Sequence, residues 1–361
     1  MSTKSISTLA AAPGRRQAGL TLVELLVAMV IGLLIAMVAV ASLVAARRGA
    51  ATVDAASQLR DDARFTTDII QRLAVQTGFE DLASATAPYA GTAAQYKQTN
   101  KGSGGAAVDI TTLQPNVYGF NNATVSASDP LNTASTRSAG DGGNGSDVLV
   151  LQYQTARNNI NPAAGSASDG SMITCMGNSP ALAEVGRNDR IYSVLSVDMS
   201  QGEPTLMCTT NNETTGVPYT QPLVKGVESF QVLYGVDNVT PGAALSASNT
   251  ADSVPDSFLR ADQLTVAGNQ KATYANWRRV RSLRIGLVLR GPANSAQGSA
   301  AQTLQPFKGS DFVSGSDPGS SYTVTDSRLR QTVSFTVQLR NCQNQGFQST
   351  TSTLACDVTL P

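Results

Sequence analysis

The sequence predicts an α+β protein: one long N-terminal hydrophobic helix packed on a mostly antiparallel β-sheet domain with long polar loops. Three observations predict it. Positions 25 to 46 form an apolar run with neither a charge nor a proline, longer than the roughly 20 residues a helix needs to cross a bilayer. Helical periodicity then continues as far as Gly78. Beyond it, apolar runs and period-two alternation recur between stretches rich in Ala, Ser, Thr, Gly and Asn.

Composition narrows the function classes. The 361 residues carry a formal net charge of zero, so the chain as a whole has no field to draw in nucleic acid or anionic lipid. Charged residues make up only 14%, which suits an extracytoplasmic surface with long polar loops. Histidine is absent, which removes the commonest general base and the commonest metal ligand. No Ser-Lys or paired-carboxylate spacing stands out in its place. No catalytic residue, metal site or cofactor is therefore expected, and a membrane-anchored enzyme is the weak alternative. Gly142, Gly143, Gly145 and Asp147 fit one copy of a calcium-binding repeat that works by stacking copies. A glycine-rich turn entering a strand is the better reading.

Taken in order, residues 1 to 19 are polar, small and basic. Lys4, Arg15 and Arg16 lie before the apolar run, which favours a cytoplasmic N-terminus and an exported C-terminus. Arg47 and Arg48 at the other end weaken that asymmetry. An ordinary signal peptide cut at Ala39-Val40-Ala41 would not explain the length of the run. A plain anchor would explain the length but leave Glu24, at the start of the run, without a role. Ala28, Gly32 and Ala36 lie four apart on one face, small enough to let helices approach closely. From 50 to 77, Leu59, Ala63, Thr66, Ile70 and Leu73 mark one face, with Arg60, Asp61, Asp62, Arg64, Asp68 and Arg72 around the rest. Gly78 is a natural C-terminal stop. A helix over 20 to 77 would measure about 87 Å.

Residues 84 to 112 and 121 to 146 read as loops around a short strand at Val117 to Phe120. Asp147 to Tyr153 is an apolar run suited to a buried strand. Residues 191 to 198 and 204 to 209 read as two more, the second ended by Cys208. Val227 to Val236 carries Phe230, Val232 and Tyr234 on one parity. Residues 240 to 276 read as polar loop, with Trp277 starting the next element. Leu283, Ile285, Leu287 and Leu289 alternate with Arg284, Gly286, Val288 and Arg290, and Val333, Phe335, Val337 and Leu339 alternate with polar residues. Both read as half-buried strands. Leu354 to Leu360 makes a last short strand. Arg278, Arg279, Arg281, Arg284 and Arg290 form a basic cluster, but Arg281 lies opposite Arg284 and Arg290 on a strand, so no stripe forms for nucleic acid. A solvated surface or a subunit contact is expected there.

Cys175, Cys208, Cys342 and Cys356 all lie beyond the apolar run. An even number in an exported domain favours disulfides over free thiols, and no C-x2-C spacing suggests zinc. Three pairings are open. The sequential one, Cys175 with Cys208 and Cys342 with Cys356, is favoured because each pair brackets a local β unit.

The stretch Gly19-Leu20-Thr21-Leu22-Val23-Glu24-Leu25-Leu26-Val27-Ala28 resembles the class III signal of type IV prepilins and type II secretion pseudopilins. The resemblance implies that a membrane prepilin peptidase cuts between Gly19 and Leu20 and N-methylates Leu20. Glu24 matches the family's acid, whose partner is the N-terminal ammonium of a neighbouring subunit. Two such charges at about 4 Å gain on the order of 4 kcal/mol at an effective dielectric near 20, before desolvation. The pair would set the register of subunit docking.

Gly226 to Asp237, Val280 to Arg290 and Arg328 to Asn341 are similar to blocks of PilW-type minor pilins, and the placement of Cys175 and Cys208 fits as well. The helix lacks the mid-helix proline of many major pilins, and the Cys342–Cys356 pair is not carried over from the family. The resemblance implies a pilin-like fold with a leader peptide at 1–19, a long helix at 20–78 (20–46 transmembrane and then filament core, 47–78 amphipathic) and a periplasmic β-rich domain at 79–361. It further implies an inner-membrane protein that moves to the pilus tip. Its partners would be the peptidase, other minor pilins and a tip adhesin, in a complex that primes assembly and supports adhesion and twitching motility. No nucleic-acid partner is expected. A type II secretion pseudopilin and a DNA-binding pilin of a competence system are the alternatives.

Overall fold

The computed structural model describes residues 19, 21–81, 114–132, 134–138, 141–158, 167–181, 190–212, 216–246, 248–296, 298–307 and 321–340. Contacts divide the chain into two compact units, one up to Ala51 and one from Thr52 onward. A single helix, α1, runs from Leu22 to Gln76 through both.

In the first unit, every residue from Leu22 to Arg48 is exposed. In the second, α1 buries Ala55, Leu59, Ala63, Thr66, Ile70, Leu73, Ala74 and Gln76. These include all five positions expected from the three- and four-residue spacing, and four of the five join the central apolar cluster. Gly78 ends the helix at φ +76°, a left-handed conformation that glycine adopts without steric cost. Its N–H donates to Gln152 O at 2.9 Å, tying the end of the helix to a strand.

The strands follow in chain order: β1 (Val117–Phe120), β2 (Ala123–Val125), β3 (Ala134–Thr136), β4 (Val148–Tyr153), β5 (Ile191–Ser200), β6 (Glu203–Asn211), β7 (Pro218–Lys225), β8 (Val227–Val236), β9 (Ser257–Leu259), β10 (Val280–Arg290), β11 (Gln302–Leu304), β12 (Tyr322–Val324) and β13 (Arg330–Gln338). A second helix, α2, spans Gln270–Trp277. The strands form a five-stranded sheet in the order β1-β4-β5-β6-β7, a four-stranded sheet in the order β13-β10-β8-β9, and two small hairpins, β2-β3 and β11-β12. Every pairing between them is antiparallel. The expected antiparallel β-sheet domain is thus built as two larger sheets and two hairpins.

Several expectations about elements change: of the stretches read as loop, 121–146 holds β2 and β3, and 240–276 holds β9 and most of α2. β10 is not half-buried: it lies between β8 and β13, and only Arg284 and Arg290 reach partial exposure. Its polar-parity face is covered too. A Cβ on Gly286 would sit 2.8 Å from Pro306 and 2.9 Å from the Phe307 ring, so a segment packs directly on that position. β8 is buried along its full length for the same reason, with neighbours on both edges. Trp277 closes α2 rather than opening a strand. Asn269 caps that helix by accepting from Ala272 N at 3.0 Å, and the indole meets Tyr234 edge-on at 4.6 Å between ring centroids. β7 was not expected, because Pro218 and Pro222 interrupt its run. An edge strand tolerates proline where the missing N–H would face solvent. β13 is half-buried, with Thr332, Ser334, Thr336 and Gln338 exposed and Val337 buried. Leu354–Leu360 lies outside the described residues.

Candidate functional site

The candidate site is the start of α1. Leu25 N donates to Thr21 O at 3.1 Å, the first intrahelical bond, which makes Thr21 the cap. Thr21 N and Thr21 Oγ1 each donate to Glu24 Oε2 at 3.0 Å, and Glu24 N donates back to Thr21 Oγ1 at 3.3 Å. This is a reciprocal capping box. The Thr-x-x-Glu signature was present in the sequence, hidden behind the more conspicuous reading of Glu24 as a lone acid in an apolar run. The carboxylate also lies at the positive end of the helix dipole. Both bonds to the carboxylate use Oε2, so Oε1 takes no part in the box. Gly19 is exposed beside this cap, while Leu20 lies outside the described residues.

About one, two and three turns further on, Ala28, Gly32 and Ala36 are exposed on one face. A Cβ at Gly32 would meet nothing within 4 Å, so this face is open to a second helix. Around it Leu25, Val30, Leu33 and Ile35 expose 53%, 58%, 66% and 65% of their surface. Such an array can do one thing chemically: bury itself in lipid or against similar helices.

The other sequence-derived residues fall into structural roles. Cys175 and Cys208 form a disulfide with 5.8 Å between Cα atoms, pinning a loop to β6. Cys342 and Cys356 lie outside the described residues. Asp147 accepts from Asn122 N at 2.9 Å and from Val232 N at 2.8 Å. Its carboxylate therefore staples β4 to the second sheet, as a turn residue entering a strand. Among the described residues no group of three or more metal-ligating side chains occurs.

The basic cluster is not a solvated surface. Arg278, Arg279 and Arg281 are all buried. Arg281 Nη2 donates to Asp237 Oδ2 at 3.1 Å, and Asp237 also accepts from Asp252 N and Ser253 N, fixing the turn that precedes β9. Burial, reinforced by the nearby Arg190, lowers the Arg278 guanidinium to about 10. Arg284 stacks 3.8 Å above the Phe258 ring. Arg290 bonds Glu203 at 2.7 Å, and Arg330 bonds Glu228 at 2.6 Å. No local signal marks these acids as partners, since they lie more than sixty positions away in the chain. The cluster holds the domain together.

With this geometry in view, residues 14–40 match the model of the prokaryotic N-terminal methylation motif, and residues 191–341 match that of the type IV pilus-assembly protein W family, PilW. Among solved structures the chain is similar to a type IV-like pilin, TTHA1219 from Thermus thermophilus, at 13% identity. That likeness covers 79% of this chain and 98% of the other, with a TM-score of 0.31. No curated protein matches the chain.

Proposed function

We propose that this chain, a pilus component of the PilW type with a methylation motif at its N-terminus, is a minor pilin that primes type IV pilus assembly from the filament tip. The peptidase cuts between Gly19 and Leu20 and methylates the Leu20 amine. Until assembly, α1 anchors the protein in the inner membrane, with residues 79–361 in the periplasm. The chain then joins other minor pilins and a tip adhesin, and so supports attachment and twitching motility. In this reading the chain is a substrate and a structural part, not an enzyme. One observation carries it: the methylation motif leads directly into a capped helix whose apolar side chains are exposed on every side. The PilW match favours a pilus over a type II secretion apparatus.

Glu24 then has two successive partners. Its Oε2 holds the helix start, and its Oε1 accepts the methylated ammonium of a neighbour. In the filament that contact is shielded from water, where a charge-assisted bond counts for more. Ala28, Gly32 and Ala36 let the neighbour's helix approach.

Mass analysis of the mature N-terminus tests the cut. An N-methylated Leu20 is expected; a start at Ser42 or a retained Met1 overturns the reading. Glu24→Gln tests docking: the variant should be cut and found in the membrane, yet be missing from sheared filaments. Thr21→Ala is the control. It removes the cap, at about 0.5–2 kcal/mol of local helix stability, but keeps the carboxylate and should still be incorporated. Wild-type incorporation of Glu24→Gln would sink the docking role.

A further inference from the structure

We infer that the outer edge of β13 is a docking edge for an extended strand of a partner protein that carries carboxylates at alternate positions. The inference rests on residues from Thr52 onward, including the second half of α1, and does not need the reading of the N-terminal motif.

The two larger sheets end in four edge strands: β1, β7, β9 and β13. β1 has four residues and β9 three, too few to template a foreign strand. β7 has eight, but carries Pro218, Pro222 and Lys225, and its pairing with β6 shifts register between Leu206 and Met207. Prolines, lysine and a bulge are devices that keep other chains off an edge. β13 has none of them. Its nine residues run without proline or lysine, and each pairs with β10 in unbroken register, from Arg290 opposite Arg330 to Ser282 opposite Gln338.

The ladder fixes which groups face out. Leu339 N donates to Arg281 O at 2.9 Å, continuing the same register. Bonding alternates along an antiparallel pair, so the odd-numbered residues of β13 bond β10. The N–H and C=O groups of Thr332, Ser334, Thr336 and Gln338 point away from it. Among the described residues no backbone group pairs with these four, and all four residues are exposed.

The chemistry of the partner comes from what flanks the edge. A crevice of about 470 Å³ lies between α1 and β13, with Arg60, Arg64 and Asp68 on one side and Gln331 and Val333 on the other. Arg60, Arg64, Asp68 and Arg72 stand at four-residue steps on α1, all exposed, and Arg340 is exposed just beyond the strand. Among the described residues no acid forms an ion pair with Arg60 or Arg64. A strand added to β13 would set every second side chain over this crevice, where arginines outnumber the single aspartate. Main-chain bonds supply affinity in such strand addition, and flanking side chains supply choice. A second copy of β13 does not fit, since Arg-Gln-Thr-Val-Ser-Phe-Thr-Val-Gln brings another arginine and no acid.

The test uses the full-length protein in detergent micelles and two synthetic nine-residue peptides, one alternating valine with glutamate and one alternating valine with glutamine. The glutamate peptide should slow hydrogen exchange at the amides of Thr332, Ser334 and Thr336, and should bind about tenfold more tightly than its glutamine twin at low salt. Ser334→Pro removes one outward N–H without touching the β10 ladder and should weaken binding by about tenfold, whereas Ser334→Ala should not. Equal binding of the two peptides, unchanged binding by Ser334→Pro, or amides already protected in the free protein would each overturn the proposal. If Ser334→Pro fails to fold, Arg60→Glu combined with Arg64→Glu decides the matter. It should transfer the preference to a lysine-bearing peptide, and an unchanged preference overturns the proposal.

Discussion

The two halves of α1 share one backbone and differ in what their side chains need. From Leu22 to Val44 the large apolar residues expose between 42% and 75% of their surface, in every direction around the helix. From Thr52 to Gln76 the buried apolar residues form one stripe, with Leu59 at 4% and Ile70 and Leu73 at 0%, while Arg60, Asp61, Arg64, Asp68 and Arg72, with Val53 and Phe65, lie exposed. A one-sided stripe is satisfied by one packed domain. An all-round apolar surface is not: each large side chain left in water forgoes about 1.5–3 kcal/mol of burial. The difference teaches that the first half is built for a surrounding that is apolar on all sides.

The sharpest way to break this comparison is to make one substitution in both halves. Ile70→Ala opens a cavity in the cluster that joins α1 to the strands and should cost about 2–5 kcal/mol, read as a lower urea midpoint of the domain. Ile31→Ala removes the same atoms from an exposed site and should leave that midpoint where it was. Equal shifts would show that the two halves are one cooperative unit.

Placing a charge in both halves sharpens the contrast from the other side. Ile31→Arg puts a guanidinium in a stretch with no charge from Leu25 to Ala46. On insertion scales that costs about 2.5–3.5 kcal/mol near the centre of a span, visible as protein lost from the carbonate-resistant membrane fraction. Phe65→Arg, at a side chain already 55% exposed in the second half, should leave that fraction unchanged.

How much of this was legible in the sequence depended on the range of the interaction. The helix, its buried stripe and its glycine stop were readable because spacing along one chain decides them. Leu59, Ile70, Leu73 and Gly78 all stand where period and cap chemistry put them. The Thr21–Glu24 box was readable too, being a three-residue relation. β10 was misread as half-buried because its second face is covered by Pro306 and Phe307, from a later segment. The arginines were misread as a solvated patch because their acids, Asp237, Glu203 and Glu228, are brought in by strand pairing and not by proximity in sequence. Trp277 was assigned to the wrong element because α2 is short and polar, with Asn269 its clearest signal.

The smallest expected effect concerns pH, and it separates the halves once more. The first half has nothing to titrate between Leu25 and Ala46. The domain carries a network in which Glu203 binds Arg290 and Arg328, and Asp326 binds Arg330. Burial pushes the Glu203 carboxyl up, but the bonds from Arg290 and Arg328 outweigh it and leave Glu203 below its ordinary value. The bond from Arg330 holds Asp326 down as well. A carboxylate depressed in the folded state adds stability above its ordinary range, and that stability is lost as pH falls through the folded value. Asp62 works the other way. Burial first, and then Asp61, raise it, so its charge opposes folding at neutral pH and the opposition fades on acidification. Asp62→Asn should therefore raise the urea midpoint at pH 7 but not at pH 3, and Glu203→Gln should remove part of the loss between those two values. Helicity of the micelle-bound first half should persist at an acidity that loosens the domain. Acid melting of both halves together would mean that the domain, and not the apolar surroundings, holds the first half in its helix.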